Sequence, residues 1–184
     1  MVKAFNPFLF TLFLFFAIAN TNAVVCAQQS DHQGHEDSVQ YIMPSQKNAE
    51  LGLLVPPSCF TPSTAFNGYL CMANGAAILM HMLDNISYPQ ATRGMNDAFY
   101  AKNGFTYITS FDLHSQHGVK GKVYKLGFKI KNEDYIRYTV FAGDLNRTLW
   151  FNATYPKLVD ELMELELLKS FQTITLNPAD NETK

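Results

Sequence analysis

The sequence has little that points to a chemical reaction. It has no Gly-x-Ser-x-Gly nucleophile motif and no glycine-rich phosphate loop. It also lacks a basic cluster, because its 14 Lys and Arg residues are spread along the chain and face 16 Asp and Glu residues. A mildly acidic chain of this kind has no electrostatic footprint for nucleic acid or anionic lipid. We therefore expect a protein that is not an enzyme and binds no nucleic acid.

A hydrophobic run long enough for a transmembrane helix is also missing, but the amino terminus resembles a secretory signal. Lys3 precedes an apolar stretch at 8–18, and small residues follow it. This stretch is shorter than the roughly 20 residues that cross a bilayer. We predict a signal peptide over residues 1–27, cleavage between Ala27 and Gln28, and export to the bacterial periplasm or the medium without stable membrane insertion. Cleavage after Ala23 is the alternative.

Cysteine is scarce, and the predicted cleavage divides the three cysteines unequally. Removal of residues 1–27 takes away Cys26 and leaves Cys59 and Cys71 in an oxidising compartment. An even pair in an exported chain predicts a Cys59–Cys71 disulfide. The alternative is that one thiol is a small buried hydrophobic side chain.

The remaining chain is long enough for one domain. Residues 28–50 are polar and predict a flexible leader. Residues 51–176 carry the hydrophobic periodicity of the domain, and residues 177–184 form a polar tail.

Alternation and turn residues predict, in this order, a β-hairpin, a helix, a three-strand meander, another strand and a second long helix. Asn74-Gly75 joins two apolar runs into a hairpin, and Gly143 begins a later turn that ends at Arg147. The predicted strands are 51–55, 66–72, 76–83, 105–113, 120–131, 135–142, 148–155 and 171–176. The predicted helices are Pro89–Asn103 and one that begins at Pro156. This order favours an α+β domain whose helices cover a mainly antiparallel sheet.

The last helix has an apolar stripe at helical spacing. Leu158, Val159, Leu162 and Leu165 form this stripe, and we expect it to face the core. Glu166 falls on the same side, so either the helix turns away from the core there or Glu166 has a partner.

Several local strings resemble the PsbP-like family, which includes photosystem II extrinsic proteins and DcrB-like periplasmic proteins. The matching strings are Leu53-Leu54-Val55-Pro56-Pro57 with Phe60, Phe66-Asn67-Gly68-Tyr69, Gly75-Ala76-Ala77-Ile78, Phe151-Asn152-Ala153-Thr154-Tyr155-Pro156 and Ser170-Phe171. The resemblance spans residues 51–176 and looks strongest for small exported bacterial members.

This resemblance implies an α/β/α sandwich, with a mainly antiparallel central sheet covered by helices. It also implies a monomeric binding or assembly module that engages an unidentified protein of the cell envelope. The family's motifs are structural, so they assign no catalytic residue.

Two groups of histidines suggest a second possibility, a divalent metal or small-ligand site. His114 and His117 lie three residues apart in a predicted loop after Asp112 and can share a metal. His32 and His35 lie among carboxylates in the leader. A solvated turn and a solvated spacer are the alternatives.

The single tryptophan, Trp150, is a candidate partner-binding residue, because large aromatic side chains anchor many interfaces. Burial in an ordinary core is the alternative for a residue in a predicted strand.

Overall fold

The computed structural model describes residues 52–177. The predicted signal peptide, its cleavage site at Ala27 and Gln28, the leader with His32 and His35, and residues 178–184 of the tail lie outside this range. The strands are β1 (Thr61–Pro62), β2 (Gly68–Cys71), β3 (Ala76–Asp84), β4 (Thr106–His114), β5 (Lys120–Ile130), β6 (Glu133–Gly143) and β7 (Arg147–Pro156). The helices are α1 (Tyr88–Ala91), α2 (Asp97–Lys102), a 3-10 turn (Lys157–Val159) and α3 (Asp160–Phe171).

All seven strands belong to one sheet, in the order β1-β2-β3-β7-β6-β5-β4. Every neighbouring pair is antiparallel. The segment that contains α1 and α2 carries the chain from β3 to the far edge, where β4 begins. The strands β4 to β7 then return as a meander until β7 pairs with β3. The predicted hairpin and the predicted meander are both confirmed.

The predicted α/β/α sandwich is wrong. Strands account for 44% of the described chain and helices for only 20%. One cause is that the helix predicted over Pro89–Asn103 is broken. Gly94 adopts a φ of +81°, which a right-handed helix does not tolerate. The side chain of Asn96 then accepts a hydrogen bond from Phe99 N and starts α2 as a separate short helix.

The predicted terminal strands at 51–55 and 171–176 are also wrong. The chain over 52–54 forms a turn and a bend, and α3 continues to Phe171. Both segments still contribute to the core, because Leu53, Leu54 and Ile174 are buried. Thr175 N donates to Leu53 O and ties the two chain segments together.

The main core lies between the sheet and α3. Met163, Leu167 and Phe171 of α3 are buried. Phe171 packs edge-on against Tyr138 of β6 and Phe151 of β7. Alternate residues of the central strands share this side of the sheet, as period-2 alternation requires.

The apolar stripe predicted for the last helix faces the wrong way. Leu158 is 96% exposed, Leu162 65% and Leu165 56%, and Val159 is only partly buried. Glu166 is partly buried and forms an ion pair of 2.9 Å with Lys169. The helix therefore presents three leucines to solvent. None of the helices in residues 52–177 is long and apolar enough to span a membrane.

Candidate functional site

The histidines proposed as metal ligands, His114 and His117, lie at the end of β4 and in the loop that follows it. His114 is exposed, whereas His117 is partly buried. Asp112 forms an ion pair of 3.0 Å with Lys122. Within residues 52–177, no three His, Cys, Asp or Glu side chains are placed to hold a metal ion.

His117 instead lines a cleft at one end of the sheet. Three chain segments meet there because Lys120 of β5 pairs with Gly143 of β6, which brings the β4–β5 loop beside the β6–β7 turn. The cleft has a volume of about 290 Å³. It is lined by His117, Gly118, Val119, Gly143, Asp144, Arg147, Thr175, Leu176 and Asn177.

The β4–β5 loop is held by its own hydrogen bonds. Ser115 Oγ accepts from His117 N at 3.3 Å and from Val119 N at 3.1 Å. Gln116 N donates to Gln172 O at 2.8 Å, which fixes the loop to the segment after α3. In this setting the Nε2 atom of His117 is buried and has no hydrogen-bond partner in the described chain. A buried polar atom without a partner is costly.

The opposite wall of the cleft is a tight turn. Asp144 Oδ1 accepts from Asn146 N and from Arg147 N, each at 2.7 Å. These two backbone hydrogen bonds hold the pKa of Asp144 below its ordinary value. Gly143 is required at this point, since a Cβ atom there would lie 2.0 Å from Arg147 O. The cleft therefore pairs an ionised carboxylate with an arginine at its rim.

A second concavity of about 500 Å³ borders residues 157–162. Its described lining is one continuous stretch of chain, so it has no opposing wall within residues 52–177. This surface is dominated by the exposed leucines at positions 158, 162 and 165, which we call the leucine ridge.

Polar contacts fix the orientation of α3 beneath the leucine ridge. Lys125 Nζ, on a side chain that is 9% exposed, lies 3.0 Å from Asp160 Oδ2 and 3.1 Å from Glu164 Oε1. The hydroxyls of Tyr138 and Tyr155 donate to the same two carboxylates, at 2.6 and 2.8 Å. Burial, and then these carboxylates, raise the pKa of both tyrosines.

The other face of the sheet buries a different cation. Arg137 is 4% exposed. Its guanidinium carbon lies 5.2 Å from the ring centre of Phe105 and 4.9 Å from that of Phe128. Its Nε donates to Thr154 Oγ1 at 3.0 Å. Burial lowers the pKa of Arg137 to about 10.

Trp150 belongs to the interior and does not present an exposed partner-binding surface. It is 5% exposed. Its ring stacks on Phe141 at 6.2 Å and on His81 at 5.5 Å. The alternative of an ordinary buried aromatic fits this placement.

Cys59 and Cys71 are free thiols in this structure, the first exposed and the second buried. They lie close enough for their side chains to interact. Partial burial, the Cys71 thiol and the Glu166 carboxylate together raise the pKa of Cys59 to about 11. The predicted disulfide between them stays a prediction.

Sequence analysis missed Asp144, Arg147 and the leucine ridge as functional candidates. The turn at 143–147 was predictable, but its position beside His117 depends on strand register. The sequence shows the three leucines at helical spacing, but it does not show that they face solvent.

Comparisons with known proteins give no family. No family model and no curated protein matches the chain. A crystal structure of PA94 from Pseudomonas aeruginosa, a protein of unknown function, is similar at 16% identity and a TM-score of 0.40. The match covers 56% of this chain and 74% of that one. At this TM-score the likeness supports no statement about a shared fold or function.

Proposed function

We propose that this chain is an exported, non-enzymatic binding module that engages a partner protein of the bacterial cell envelope through the leucine ridge. One observation carries the proposal. Leu158 of the 3-10 turn and Leu162 and Leu165 of α3 follow one another along the chain, and each is more than half exposed. Single exposed apolar side chains are ordinary, but a contiguous apolar stripe on a helix is typical of an interaction surface.

The inner contacts of α3 support the same proposal. Asp160 and Glu164 are paired with Lys125 on the sheet side, so the helix is held by charge as well as by its buried apolar residues. Turning the leucines inward would break these ion pairs. The ridge is therefore a stable feature of the surface that a partner can use without refolding the helix.

Charge indicates the chemistry of the partner. The segment 157–169 carries four acidic and two basic residues, and Glu161 on its outer side makes no ion pair within the described chain. Asp160 and Glu164 pair with Lys125 and Glu166 pairs with Lys169. Lys157 and Glu161 carry opposite charges, so the surround has no net charge and favours a partner segment that binds by apolar contact. The ridge is small, so we expect a transient complex and not a permanent one.

Site-specific photo-cross-linking tests the proposal. A photoreactive residue at position 165 is expected to give one discrete adduct in the native host, joined to an apolar partner peptide. Leu145, which is 82% exposed in the β6–β7 turn, is the matched control position and is expected to give none. Leu162→Ser is expected to abolish the adduct at 165, while Leu162→Met retains it.

Three outcomes would contradict this proposal. Equal adducts at 165 and 145 would show that the ridge is not selective. Adducts that join two copies of this chain would replace the partner with self-association, and the absence of any adduct at 165 would remove the ridge as a docking surface. Because Leu162 is exposed, Leu162→Ser should change stability by less than about 0.5 kcal/mol, and a thermal melt checks this.

A further inference from the structure

The two edges of the sheet are protected to different degrees. At one edge, β1 is only two residues long and contains Pro62, which has no N–H group to offer a further strand. At the other edge, β4 is nine residues long, and within residues 52–177 it pairs with β5 alone. It contains no proline or lysine, the residues that commonly guard an exposed edge. A further strand can therefore be added at β4.

The hydrogen bonds of the β4–β5 hairpin show which backbone groups of β4 point away from β5. Ser115 N donates to Val119 O, so these two residues form a hydrogen-bonded pair. Such pairs recur at every second residue of an antiparallel ladder, and the register over 109–114 is regular. The odd-numbered residues of this stretch therefore bond to β5. The even-numbered residues direct their N–H and C=O groups outward, and these are Ser110, Asp112 and His114.

The side chains of β4 separate into an apolar and a polar face. Phe111 is partly buried against the core on the face covered by α3. Asp112, the only acidic residue of the strand, forms its ion pair with Lys122 on the other face. Ser110 lies two positions away and therefore on the same face as Asp112. Its hydroxyl accepts from the Tyr107 hydroxyl at 2.8 Å and can still donate its own hydrogen.

We propose that two copies of this chain pair through β4, antiparallel about a two-fold axis at Phe111, and form one continuous sheet. The outward N–H and C=O groups of Ser110 bond to Asp112 of the partner subunit, and the symmetry repeats this pair. Phe111 then faces Phe111 of the partner subunit in a pair without hydrogen bonds, where side chains approach most closely. The Asp112 carboxylate lies opposite a hydroxyl, so no two carboxylates face each other.

Other registers fit less well. An axis at Asp112 would place two carboxylates opposite each other. An axis at Ser110 would bring the bulge before Thr109 into the pairing. An axis at Leu113 would leave little overlap, because β4 ends at His114. The dimer differs from the monomer that the resemblance to the PsbP-like family implies, and it does not use the leucine ridge of α3.

Sedimentation velocity and hydrogen exchange test the dimer on the chain as its host processes it. Between about 5 and 500 µM we expect a shift from monomer to dimer, because a small interface gives a weak complex. The amides of Ser110 and Asp112 should exchange at least about 3-fold more slowly at the highest concentration than at the lowest. The amide of Phe111 bonds to β5 and is the internal control, so its exchange should not depend on concentration.

Variants at position 110 remove the pairing without removing the strand. Ser110→Pro deletes an N–H that points outward, so the ladder to β5 keeps its hydrogen bonds. Ser110→Lys guards the edge with a charge and leaves the backbone intact. Each is expected to raise the dissociation constant of the dimer at least about 10-fold, whereas Ser110→Thr keeps the dimer. A thermal melt at low concentration checks that each variant folds. Leu162→Ser should leave the dimer unchanged.

Cysteine cross-linking tests the register. Under a mild oxidant such as diamide, Phe111→Cys should give a disulfide-linked dimer, because position 111 lies opposite itself. Thr109→Cys, on the same face of the same strand, should not, because position 109 lies opposite Leu113 of the partner subunit. The unsubstituted chain controls for Cys59 and Cys71.

Several results would overturn the proposal. A monomer at every concentration would remove the dimer. If the Ser110 and Asp112 amides were also protected in that monomer, another segment of the same chain would occupy the edge. A dimer that persists in both Ser110→Pro and Ser110→Lys, or one that is lost in Leu162→Ser, would place self-association elsewhere. A cross-link in Thr109→Cys without one in Phe111→Cys would refute the axis at Phe111.

Discussion

The two faces of the sheet each bury one cation, and they compensate it in different ways. On the face covered by α3, Lys125 meets two carboxylates, Asp160 and Glu164. On the opposite face, Arg137 packs against the faces of two phenylalanine rings and makes one side-chain hydrogen bond, to Thr154. No carboxylate within residues 52–177 pairs with it. Lys125 is therefore neutralised by two carboxylates of α3, whereas Arg137 is held by two aromatic ring faces and one hydroxyl group.

This difference explains the orientation of α3. Asp160 and Glu164 lie one helical turn apart, so both reach the same lysine on the sheet. Once these carboxylates face inward beside Met163 and Leu167, the side at positions 158, 162 and 165 must face outward. A hydrophobic stripe alone predicts the opposite orientation. The observed orientation buries Met163, Leu167 and Phe171 and also gives Lys125 its two carboxylates, so apolar burial and charge favour it together.

The largest expected effect is on the α3 side, where Cys71 joins the core. If oxidation closes the predicted Cys59–Cys71 disulfide, about a dozen residues are enclosed and the free energy of unfolding rises by about 3 kcal/mol. Cys59→Ser should lose this gain in oxidised protein and change little in reduced protein. Urea unfolding with and without reductant measures the difference. Intact mass checks the bond, and labelling of both thiols as free in protein purified under oxidising conditions would contradict it.

The next largest effect comes from removing the carboxylates that neutralise Lys125. Asp160→Asn with Glu164→Gln keeps the shapes but leaves the lysine without a counter-charge. We expect a loss of about 2 to 3 kcal/mol, below the 3 to 5 kcal/mol of a fully buried pair, because the two carboxylates are partly exposed. Urea unfolding measures it.

Asp134→Asn is the matched control for that variant. Its ion pair with Lys129 is 3.3 Å long and exposed on both sides, so its loss should cost less than about 1 kcal/mol. Equal losses of stability in the two experiments would mean that burial of Lys125 adds nothing to its ion pairs. The proposed difference between the two faces of the sheet would then be wrong.

The sheet was predictable from sequence because its signals are local. Alternation along 120–131 and the Asn74-Gly75 turn each lie within a few residues, and β5 and the β2–β3 hairpin formed as expected. The break at Gly94 was partly visible, since a glycine there weakens a helix. The helix ends there because Gly94 has a positive φ, and the sequence alone does not reveal this backbone conformation.

The site was less predictable because its residues are distant in sequence. Lys125 reaches Asp160 across 35 positions, so the direction of α3 depends on a contact that no helical pattern contains. The cleft likewise needs the pairing of Lys120 with Gly143 to bring His117 beside Asp144. Residue type alone identified His117 as a candidate, but it did not identify Asp144 and Arg147 as its neighbours in the cleft.

Stability at alkaline pH tests the buried tyrosines on both faces of the sheet. Burial raises the pKa of Tyr138 and Tyr155 on the α3 side, and of Tyr100 and Tyr124 on the other. These tyrosines stay protonated in the folded chain after those of the unfolded chain begin to ionise near pH 10. Stability is therefore intact below about pH 10 and falls as the pH rises above it.

We expect a Tm loss of about 5 °C by about pH 11, roughly 1 kcal/mol in a domain of this size. The lowered pKa of Arg137 acts in the opposite sense above pH 10, but one arginine does not offset four tyrosines. Differential scanning calorimetry measures the loss. Tyr138→Phe should show a smaller dependence on pH, and a Tm that rises over this range would contradict the assignment.

The smallest expected effect is the removal of the cation that has no carboxylate. Arg137→Met keeps the length and apolar character of the side chain while removing the buried charge. It loses the ring contacts, worth about 0.5 to 2 kcal/mol, and one hydrogen bond, but it also ends the cost of keeping a guanidinium out of water. These terms nearly cancel, so we expect the free energy of unfolding to change by less than about 1 kcal/mol.

Lys125→Met is the matched comparison and should cost more, because it leaves two carboxylates and two tyrosine hydroxyls without their shared lysine. Urea unfolding of both variants decides the point. A loss above about 3 kcal/mol in Arg137→Met would show that ring faces hold a buried cation as tightly as carboxylates do.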